Sequence, residues 1–395
     1  MLRVLTLATL FPDASRPNFG IFVERQTLSL ARRGDVEIRV VAPVGIPPWP
    51  LSRHPRYRAL AGLPDRERWK GIEVHRPRFL NLPGTGGRFH ARMVARAAEP
   101  VIAAIRRSYR FDILVGEFSY PDGPAVVALA ERFGVPCSFT ARGADISHWA
   151  HQPATGAQIV AASRRASGML AVSDALRDEM IALGMPGDRI RQNTTGVDLS
   201  RFAPRDRAAA RRALGVAGPL VASVGALIPR KRHDIAIDAV ARLPGVSLLI
   251  AGTGPEQGRL QARIDRLGVG DRVRLLGAVP GEAMPELLGA ADVMALGSES
   301  EGLANVWMEA LACGTPVVVP DVGGARQLLT APAGGRIVAR TPEAFADAIA
   351  ATLASPPAPA DVRALAEPFT WEANSARIHA WYSGLVAAGP VAAAA

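Results

Sequence analysis

Residues 291–320 place a strand, a loop, a helix and a second strand in succession, and no other stretch constrains the fold as strongly. Apart from Asp292, the residues of Ala291–Gly297 are apolar or small, and Pro316–Pro320 is rich in valine, which predicts two short buried strands. Between them the sequence predicts a helix over Asn305–Ala312. Gly314 follows this helix, at the position that favours a left-handed conformation. Such a unit is typical of a parallel sheet covered by helices.

The loop before that helix is a candidate anion site. The first amide groups of a helix have no partner inside it and carry a partial positive charge. We therefore expect the amides of Leu303, Ala304 and Asn305 to be able to hold an anion such as a diphosphate.

Two glutamates bracket this candidate anion site. Glu301 lies in the loop, and Glu309 lies in the second turn of the helix, where its sequence neighbours are apolar and a lone charge is costly. One interpretation is that both carboxylates accept hydrogen bonds from a ligand. The other is that Glu301 is a solvated loop residue and Glu309 a helix-surface residue. The spacing alone leaves both interpretations open.

The stretch as a whole resembles the signature of the retaining glycosyltransferases of family 4, which have the GT-B fold. The resemblance rests on Glu301 and Glu309, on the run Ala312–Val318 (ACGTPVV) and on Gly323–Gly324. It implies an α/β protein with two doubly wound parallel-sheet, Rossmann-like domains that face each other across a cleft. It also implies that Glu301 faces the donor sugar, that Glu309 holds the nucleotide ribose, and that the amides after Gly302 take the diphosphate.

A basic loop follows the strand predicted over Leu220–Val224. In the family, an arginine directly follows a glycine here and a lysine comes five residues later. In this sequence Gly225 and Lys231 match, whereas Ala226 departs from the pattern. The resemblance implies that Gly225 lies in the donor-binding loop and that Lys231 grips the diphosphate, with Arg230 supplying a second positive charge to the leaving group.

The alternative is that this segment is an exposed basic turn. Only two of the 46 basic residues are lysine, however. Where arginine is the default, a lysine indicates that a compact ammonium group is needed. This scarcity favours the functional interpretation.

A second candidate site follows the strand predicted over Pro136–Thr140, because ligands of open α/β sheets lie beyond the carboxyl ends of the strands. The family commonly shows histidine, glycine, any residue and aspartate at this point. Here Arg142 replaces the histidine, and Asp145 matches the aspartate. The resemblance implies that Arg142 contacts sugar hydroxyls or the donor phosphate. It places Asp145 on the acceptor side.

A turn before the helix predicted over Ile21–Arg33 carries Asn18 and Gly20. Glycine at a strand-to-helix turn would permit close approach of a ligand to the backbone. The resemblance implies that this loop faces the acceptor, through Asn18, and the donor phosphate, at Gly20. The alternative for Gly20 is a plain turn glycine.

A chain of 395 residues is too long for one ordinary hydrophobic core, so we expect two domains. We expect an irregular stretch, rich in Pro, Gly and Arg, over residues 43–90. The expected divisions are an acceptor-side domain (1–200), a donor-binding domain (201–369), a helix that crosses back to the first domain (370–388) and a disordered tail (389–395).

The positive charge is concentrated in the first part of the chain. Residues 1–110 hold 20 Arg and Lys against 8 Asp and Glu, whereas the remainder holds 26 against 28. The surplus indicates an anionic partner such as a phospholipid membrane, a lipid-linked diphosphate or an acidic glycan. The alternative is a coding preference for arginine on a solvated face. Nucleic acid is disfavoured, because the arginines are scattered and lack interleaved aromatic residues.

The two cysteines, Cys137 and Cys313, lie far apart in apolar surroundings and predict reduced thiols. We therefore expect a cytoplasmic protein, with peripheral contact at the inner face of the plasma membrane.

The resemblance implies a retaining, hexosyltransferase-type enzyme. It moves a sugar from a UDP- or GDP-type donor to a glycan or lipid-linked acceptor, without a cofactor or a required metal. The alternatives are a GT-B epimerase of nucleotide sugars, an inactive nucleotide-sugar-binding or scaffold protein, and a membrane-docking partner protein.

Overall fold

The computed structural model describes residues 1–391 and divides the chain into two compact units. The first unit comprises Met1–Thr195 together with the C-terminal segment that begins at Trp371, and the second comprises Gly196–Thr370. Part of the tail that the sequence predicts to be disordered, residues 392–395, lies outside the described residues.

The first unit contains one main sheet, one small two-stranded sheet and helices packed against them. Its strands are β1 (Leu2–Leu7), β2 (Val36–Val41), β3 (Val44–Ile46), β4 (Arg66–Trp69), β5 (Ile72–His75), β6 (Arg78–Leu80), β7 (Ile113–Gly116), β8 (Cys137–Ala141), β9 (Gly168–Ala171) and β10 (Ile190–Gln192). Its helices up to this point are α1 (Ile21–Ala31), α2 (Pro55–Ala61), α3 (His90–Ser108), α4 (Asp122–Phe133), α5 (Pro153–Ser163) and α6 (Asp174–Ala182).

The main sheet of this unit has the order β10-β9-β8-β7-β1-β2-β5-β4. Its described pairings are parallel, apart from the antiparallel hairpin of β4 and β5 at one edge. The chain runs from β1 outward to β5 and then resumes at β7, on the other side of β1. The connections therefore reverse direction between β1 and β7, where open α/β sheets bind ligands.

The prediction that residues 43–90 are irregular is wrong. Strand β3 pairs in parallel with β6 in a small separate sheet, and α2 lies between β3 and the β4–β5 hairpin. These strands are three or four residues long, and prolines lie in the segments that flank several of them. A hydrophobic period cannot become visible in so short a run.

The second unit is a single sheet covered by helices. Its strands are β11 (Leu220–Val224), β12 (Ser247–Ala251), β13 (Val273–Gly277), β14 (Val293–Ala295), β15 (Val317–Pro320) and β16 (Gly335–Val338). Its helices are α7 (Arg207–Ala213), α8 (His233–Ala241), α9 (Gln257–Leu267), α10 (Met284–Ala290), α11 (Asn305–Ala312), α12 (Ala325–Leu328), α13 (Pro342–Ala354) and α14 (Pro359–Ala364).

The order of this sheet is β13-β12-β11-β14-β15-β16, and its described pairings are parallel. The chain moves from β11 to β13 and then returns to β14 on the other side of β11, so the reversal lies between β11 and β14. The helix predicted over Asn305–Ala312 is present as α11, and Gly314 beyond it has the expected left-handed φ of 74°. The loops after β11 and β14 therefore meet at the reversal point.

Helix α15 (Trp371–Ala388) packs against α1 in the first unit. Ile378, Tyr382 and Leu385 are part of that unit's hydrophobic core. The hydroxyl of Ser29 donates a hydrogen bond to the carbonyl of Trp371 at 2.9 Å. The last helix thus completes the first unit, although the chain reaches it only after the second.

Gly20 immediately precedes α1 and has a left-handed φ of 68°. A Cβ at this position would lie 2.4 Å from the carbonyl oxygen of Leu10. Glycine is therefore required here because the backbone of Leu10 packs against it, which is a contact within the chain and not a contact with a ligand.

We expect Gly20→Ala to destabilise the protein more than Gly134→Ala does. Gly134 is a matched control, because it has a similar φ of 63° but no atom within 4 Å of an added Cβ. The free energy of unfolding of the control should fall by only about 1–2 kcal/mol, the cost of a left-handed conformation for a residue with a Cβ. In Gly20→Ala the overlap with Leu10 adds to this cost. Urea unfolding of both variants measures the difference, and equal losses would contradict the steric role of Gly20.

Candidate active site

The loops that follow β11 and β14 are tied together at the reversal point of the second sheet. The amide of Glu299 donates to the carbonyl of Arg230 at 2.8 Å. The guanidinium of Arg230 in turn donates to the carbonyl of Ser300. The basic loop and the loop before α11, which are about 70 residues apart in sequence, therefore form one surface.

A three-residue charge cluster lies in this surface. The Nζ atom of Lys231 is 2.5 Å from Oε1 of Glu301, and Nη1 of Arg230 is 3.7 Å from Oε2 of the same carboxylate. The side chain of Glu301 is 8% exposed, against 14% for Lys231 and 33% for Arg230. Two cations share one anion, so the cluster keeps one positive charge that can attract an anionic ligand.

A glycine turn after β15 supports the backbone of Glu301. Gly323 has a left-handed φ of 52°, and a Cβ there would lie 2.3 Å from the carbonyl oxygen of Glu301. The amide of Gly324 donates to the carbonyl of Gly302 at 2.8 Å. The overlap explains why residue 323 is glycine, whereas the contact of Gly324 uses only its backbone amide.

Helix α11 begins directly after this loop, with Ala304 as its N-terminal flanking residue and no side-chain cap. Among the described residues, no group accepts a hydrogen bond from the amides of Leu303, Ala304 or Asn305. The helix therefore presents unsatisfied donors beside the charge cluster, as a site for a phosphate group requires.

The remaining predicted residues of this unit lie close by. Gly225 directly follows β11, and an added Cβ there would lie 3.6 Å from Cδ of Lys231, so the aliphatic part of Lys231 runs along the glycine. Glu309 is half-buried in α11, next to the fully buried Trp307 and Met308.

Sequence reasoning missed His233, which is buried beneath the basic loop. Its Nδ1 atom is 2.9 Å from the hydroxyl of Ser223, and its Nε2 atom has no hydrogen-bond partner among the described residues. Burial, together with the charge of Lys231, lowers the pKa of His233 to about 4. The imidazole is thus neutral at pH 7 and adds no charge beneath the anion site.

In the first unit, Arg142 follows β8, as the sequence predicts, but its guanidinium is held within the protein. It pairs with the carboxylate of Glu117, which follows β7, and it donates to Oε1 of Gln26 at 3.1 Å. Both charged side chains are 4% exposed. Sequence reasoning missed Glu117, although a carboxylate directly after a buried strand was the signal that could have found it.

Asp145 is fully buried and organises the loop after β8. Its carboxylate accepts hydrogen bonds from the backbone amides of Arg142, Gly143 and Ser119, at 2.9, 2.7 and 2.8 Å. Burial raises the pKa of this carboxyl group. Asn18, by contrast, is exposed in the loop before Gly20.

A further buried carboxyl group, Asp122, begins α4 at the same edge of the sheet. It accepts hydrogen bonds from the hydroxyl and the amide of Thr9, at 2.7 and 3.2 Å. Burial raises the pKa of Asp122 to about 8, and the nearby charges of Glu117 and Asp145 act in the same direction.

No group of three or more His, Cys, Asp or Glu side chains among the described residues is arranged to hold a metal ion. No described helix is long and apolar enough to cross a membrane.

Solved structures with the same architecture define the class of fold. Sucrose-phosphate synthase of Thermosynechococcus elongatus superposes with a TM-score of 0.79, covering 98% of this chain and 100% of that one at 21% identity. Anabaena HepE in complex with UDP superposes with a TM-score of 0.75, covering 97% and 100% at 20% identity. The chain has the GT-B fold.

Sequence comparisons identify the family. The family model described as Glycosyltransferase Family 4 matches residues 20–201, and the model described as Glycosyl transferases group 1 matches residues 206–367. The two matches cover both units, and the chain belongs to the family 4 glycosyltransferases.

Two relatives illustrate the range of the family. D-inositol 3-phosphate glycosyltransferase of Segniliparus rotundus is 37% identical over 215 residues, which are 50% of this chain and 47% of that protein. The chain thus spans about half the length of this relative. The putative teichuronic acid biosynthesis glycosyltransferase TuaC of Bacillus subtilis is 29% identical over 359 residues, 88% of each chain.

We expect Asp122→Asn to weaken the pH dependence of stability. Because the folded-state pKa of about 8 exceeds the ordinary value of 3.8, stability from the protonated carboxyl is present at low pH and is lost as pH rises towards 8. The slope has an upper limit of about 1.4 kcal/mol per pH unit for one group. The asparagine variant cannot ionise, so its free energy of unfolding should fall less between pH 4 and 8.

Chemical denaturation across this pH range measures the slope. Asp271→Asn, at an exposed aspartate, is the matched control and should retain the wild-type slope. An unchanged slope in Asp122→Asn would show that this carboxyl group is not the buried proton-binding group.

Proposed function

We propose that this protein is a retaining glycosyltransferase that transfers a sugar from a nucleoside diphosphate donor to a hydroxyl group of a glycan or lipid-linked acceptor. The observation that carries the proposal is the cluster of Lys231, Arg230 and Glu301 beside the uncapped start of α11. It combines cations and free amides at the reversal point of a doubly wound sheet, where a diphosphate is best held.

The chemistry requires stabilisation of a leaving group. The bond between the anomeric carbon and the β-phosphate oxygen breaks, and its electron pair stays on that oxygen. A bond forms from the anomeric carbon to the acceptor oxygen, and the proton of the acceptor hydroxyl passes to solvent. The nucleoside diphosphate leaves with additional negative charge. A cation 4 Å from that charge contributes about 4 kcal/mol at an effective dielectric of 20, so Lys231 and Arg230 supply the main stabilisation, together with the α11 amides.

In this proposal the two glutamates bind neutral parts of the donor. Glu301 accepts hydrogen bonds from sugar hydroxyls while it keeps Lys231 in position, and Glu309 accepts hydrogen bonds from the ribose. The leaving group is stabilised by side chains and amides, so we also propose that the reaction needs no metal and no cofactor.

The names of related proteins are consistent with this donor and narrow the acceptors to test. The HepE structures hold UDP and UDP-glucose. The relatives named above are described as acting on inositol 3-phosphate and in teichuronic acid biosynthesis. UDP-sugars are therefore the first donors to test, with inositol phosphate and anionic glycans as the first acceptors.

A second candidate function is nucleotide-sugar binding without catalysis. Two observations favour it: Ala226 stands where the family has a cation, and the guanidinium of Arg142 is engaged by Glu117. Such a protein would bind the donor but would not release a nucleoside diphosphate.

The decisive experiment incubates the purified protein with UDP- and GDP-sugars and the acceptor panel, with and without a chelator. We expect release of the nucleoside diphosphate, transfer to one acceptor class in the presence of the chelator, and a product whose anomeric configuration, read by NMR, matches that of the donor. An inverted configuration would refute the retaining mechanism. Binding without transfer would favour the second candidate.

We expect Lys231→Ala to weaken the binding of the donor and of the free nucleoside diphosphate. A charge-assisted hydrogen bond contributes about 1.5–3 kcal/mol, which corresponds to an increase in Kd of about 10- to 150-fold. Calorimetric titration measures this change. Lys70→Ala removes the other lysine, which pairs with Glu24 in the first unit at 2.9 Å, and should leave the Kd unchanged.

We expect Glu301→Gln to separate binding of the diphosphate from transfer of the sugar. The substitution removes the anion that neutralises Lys231, so the free nucleoside diphosphate should bind at least as tightly as in the wild type, whereas the transfer rate should fall. Glu299→Gln, at a more exposed carboxylate 3.5 Å from Arg232, is the control. Weaker diphosphate binding in Glu301→Gln would contradict this division of roles.

A further inference from the structure

An exposed group of apolar side chains lies on the first unit, in and beside the two loops that follow β3 and β6. We refer to Trp49, Leu51, Leu80 and Phe89 as the loop patch. Their exposed fractions are 70%, 50%, 44% and 37%. Half of the exposed large hydrophobic residues of the described chain fall in this short region. Single exposed apolar residues need no explanation, but a group of this kind indicates an interaction surface.

The fold brings the two loops together. Strands β3 and β6 are parallel, with Ile46 opposite Leu80, and the amide of Asn81 donates to the carbonyl of Ile46 at 2.9 Å. The carboxyl ends of parallel strands lie at the same edge, so the segment with Trp49 and Leu51 and the segment that leads to Phe89 leave from one place.

The two loops and the helices that follow them carry positive charge and no negative charge over the stretches nearest the loop patch. Residues 47–64 and 80–98 contain no Asp or Glu. They contain six exposed arginines: Arg53, Arg56, Arg58, Arg88, Arg92 and Arg96. Among the described residues, none of the six forms an ion pair with a carboxylate. The charge is therefore available to an external partner.

Two of these six arginines lie next to apolar side chains of the loop patch. The guanidinium carbon of Arg53 is 6.0 Å from the ring centroid of Trp49, and that of Arg88 is 4.8 Å from the ring centroid of Phe89. Amphipathic surfaces that lie in a lipid interface have this composition, with aromatic and leucine side chains among the acyl chains and cations at the headgroups.

We propose that the loop patch docks this protein on a membrane that contains anionic phospholipids. The inference deepens the proposed function, and it rests on that function only in that docking would bring the transferase to a lipid-linked acceptor. The arginines attract the anionic surface, and Trp49, Leu51, Leu80 and Phe89 enter the interface. Leucine side chains are the feature that favours a membrane over an acidic glycan, because sugars stack on aromatic rings but gain little from aliphatic chains.

Sedimentation of the full chain with lipid vesicles tests the proposal. The vesicles contain phosphatidylcholine alone, or phosphatidylcholine with phosphatidylglycerol. We expect binding to the anionic vesicles, with an affinity that falls as salt is added. An arginine near an anionic surface contributes about fivefold to the binding constant, so Arg53→Ser, Arg56→Ser and Arg58→Ser combined should reduce it by about 100-fold.

A second variant tests the apolar contribution, and two controls match the variants. The double variant Trp49→Ser with Leu51→Ser should bind anionic vesicles more weakly than the wild type by a factor that stays the same at low and at high salt. The apolar control is Leu267→Ser, at a leucine that is 41% exposed in the second unit. The charge control combines Arg212→Ser, Arg266→Ser and Arg336→Ser, all at exposed arginines of that unit. Both controls should bind vesicles like the wild type.

Three results would overturn the proposal: no sedimentation with anionic vesicles, equal loss in the variants and their controls, or binding to a soluble anionic glycan in place of vesicles. Thermal unfolding and nucleotide titration of the same variants separate this outcome from failure of the proposed function. All loop-patch variants should fold and should bind the nucleoside diphosphate as the wild type does, because the donor residues lie in the second unit.

Discussion

The candidate site depends on the ion pairs that the buried carboxylate of Glu301 forms with Lys231 and Arg230. This carboxylate lies between two cations that come from a different loop, and it can do so only because β11 and β14 are neighbours in the sheet. The backbone of Gly323 and Gly324 packs against the loop of Glu301, and helix α11, whose first amides are unpaired among the described residues, begins directly after that loop. An ion pair, a glycine turn and a helix start thus fix one geometry. These three features come together only because β11 and β14 pair in parallel, which brings their following loops to the same edge of the sheet.

The first unit uses the same edge of its sheet differently. There a buried arginine, Arg142, pairs with a buried carboxylate, Glu117, and the neighbouring Asp122 and Asp145 are also buried. Replacing one partner of a buried pair leaves an uncompensated charge, which costs about 3–5 kcal/mol. The arginine that the family resemblance assigns to the donor therefore has a structural partner inside its own unit.

The sequence was informative wherever local rules decide the outcome. Helix α11 and the left-handed Gly314 follow from periodicity and from the conformational freedom of glycine. The partners of Arg142 could not be predicted, because Glu117 and Gln26 are 25 and 116 residues away and no local pattern encodes such a contact. Strands β3 and β6 were missed for the same reason, since each is stable only when paired with the other.

The two lysines show how far the argument from rarity extends. Lys70 and Lys231 both place an ammonium group against a largely buried glutamate, Glu24 in one case and Glu301 in the other. The rarity of lysine in this chain therefore indicates the local chemistry in both units, which is a compact cation paired with a buried carboxylate. It does not select the function. What distinguishes Lys231 is its location, because it lies at the reversal point of a parallel sheet beside free helix amides, whereas Lys70 lies at the β4–β5 hairpin.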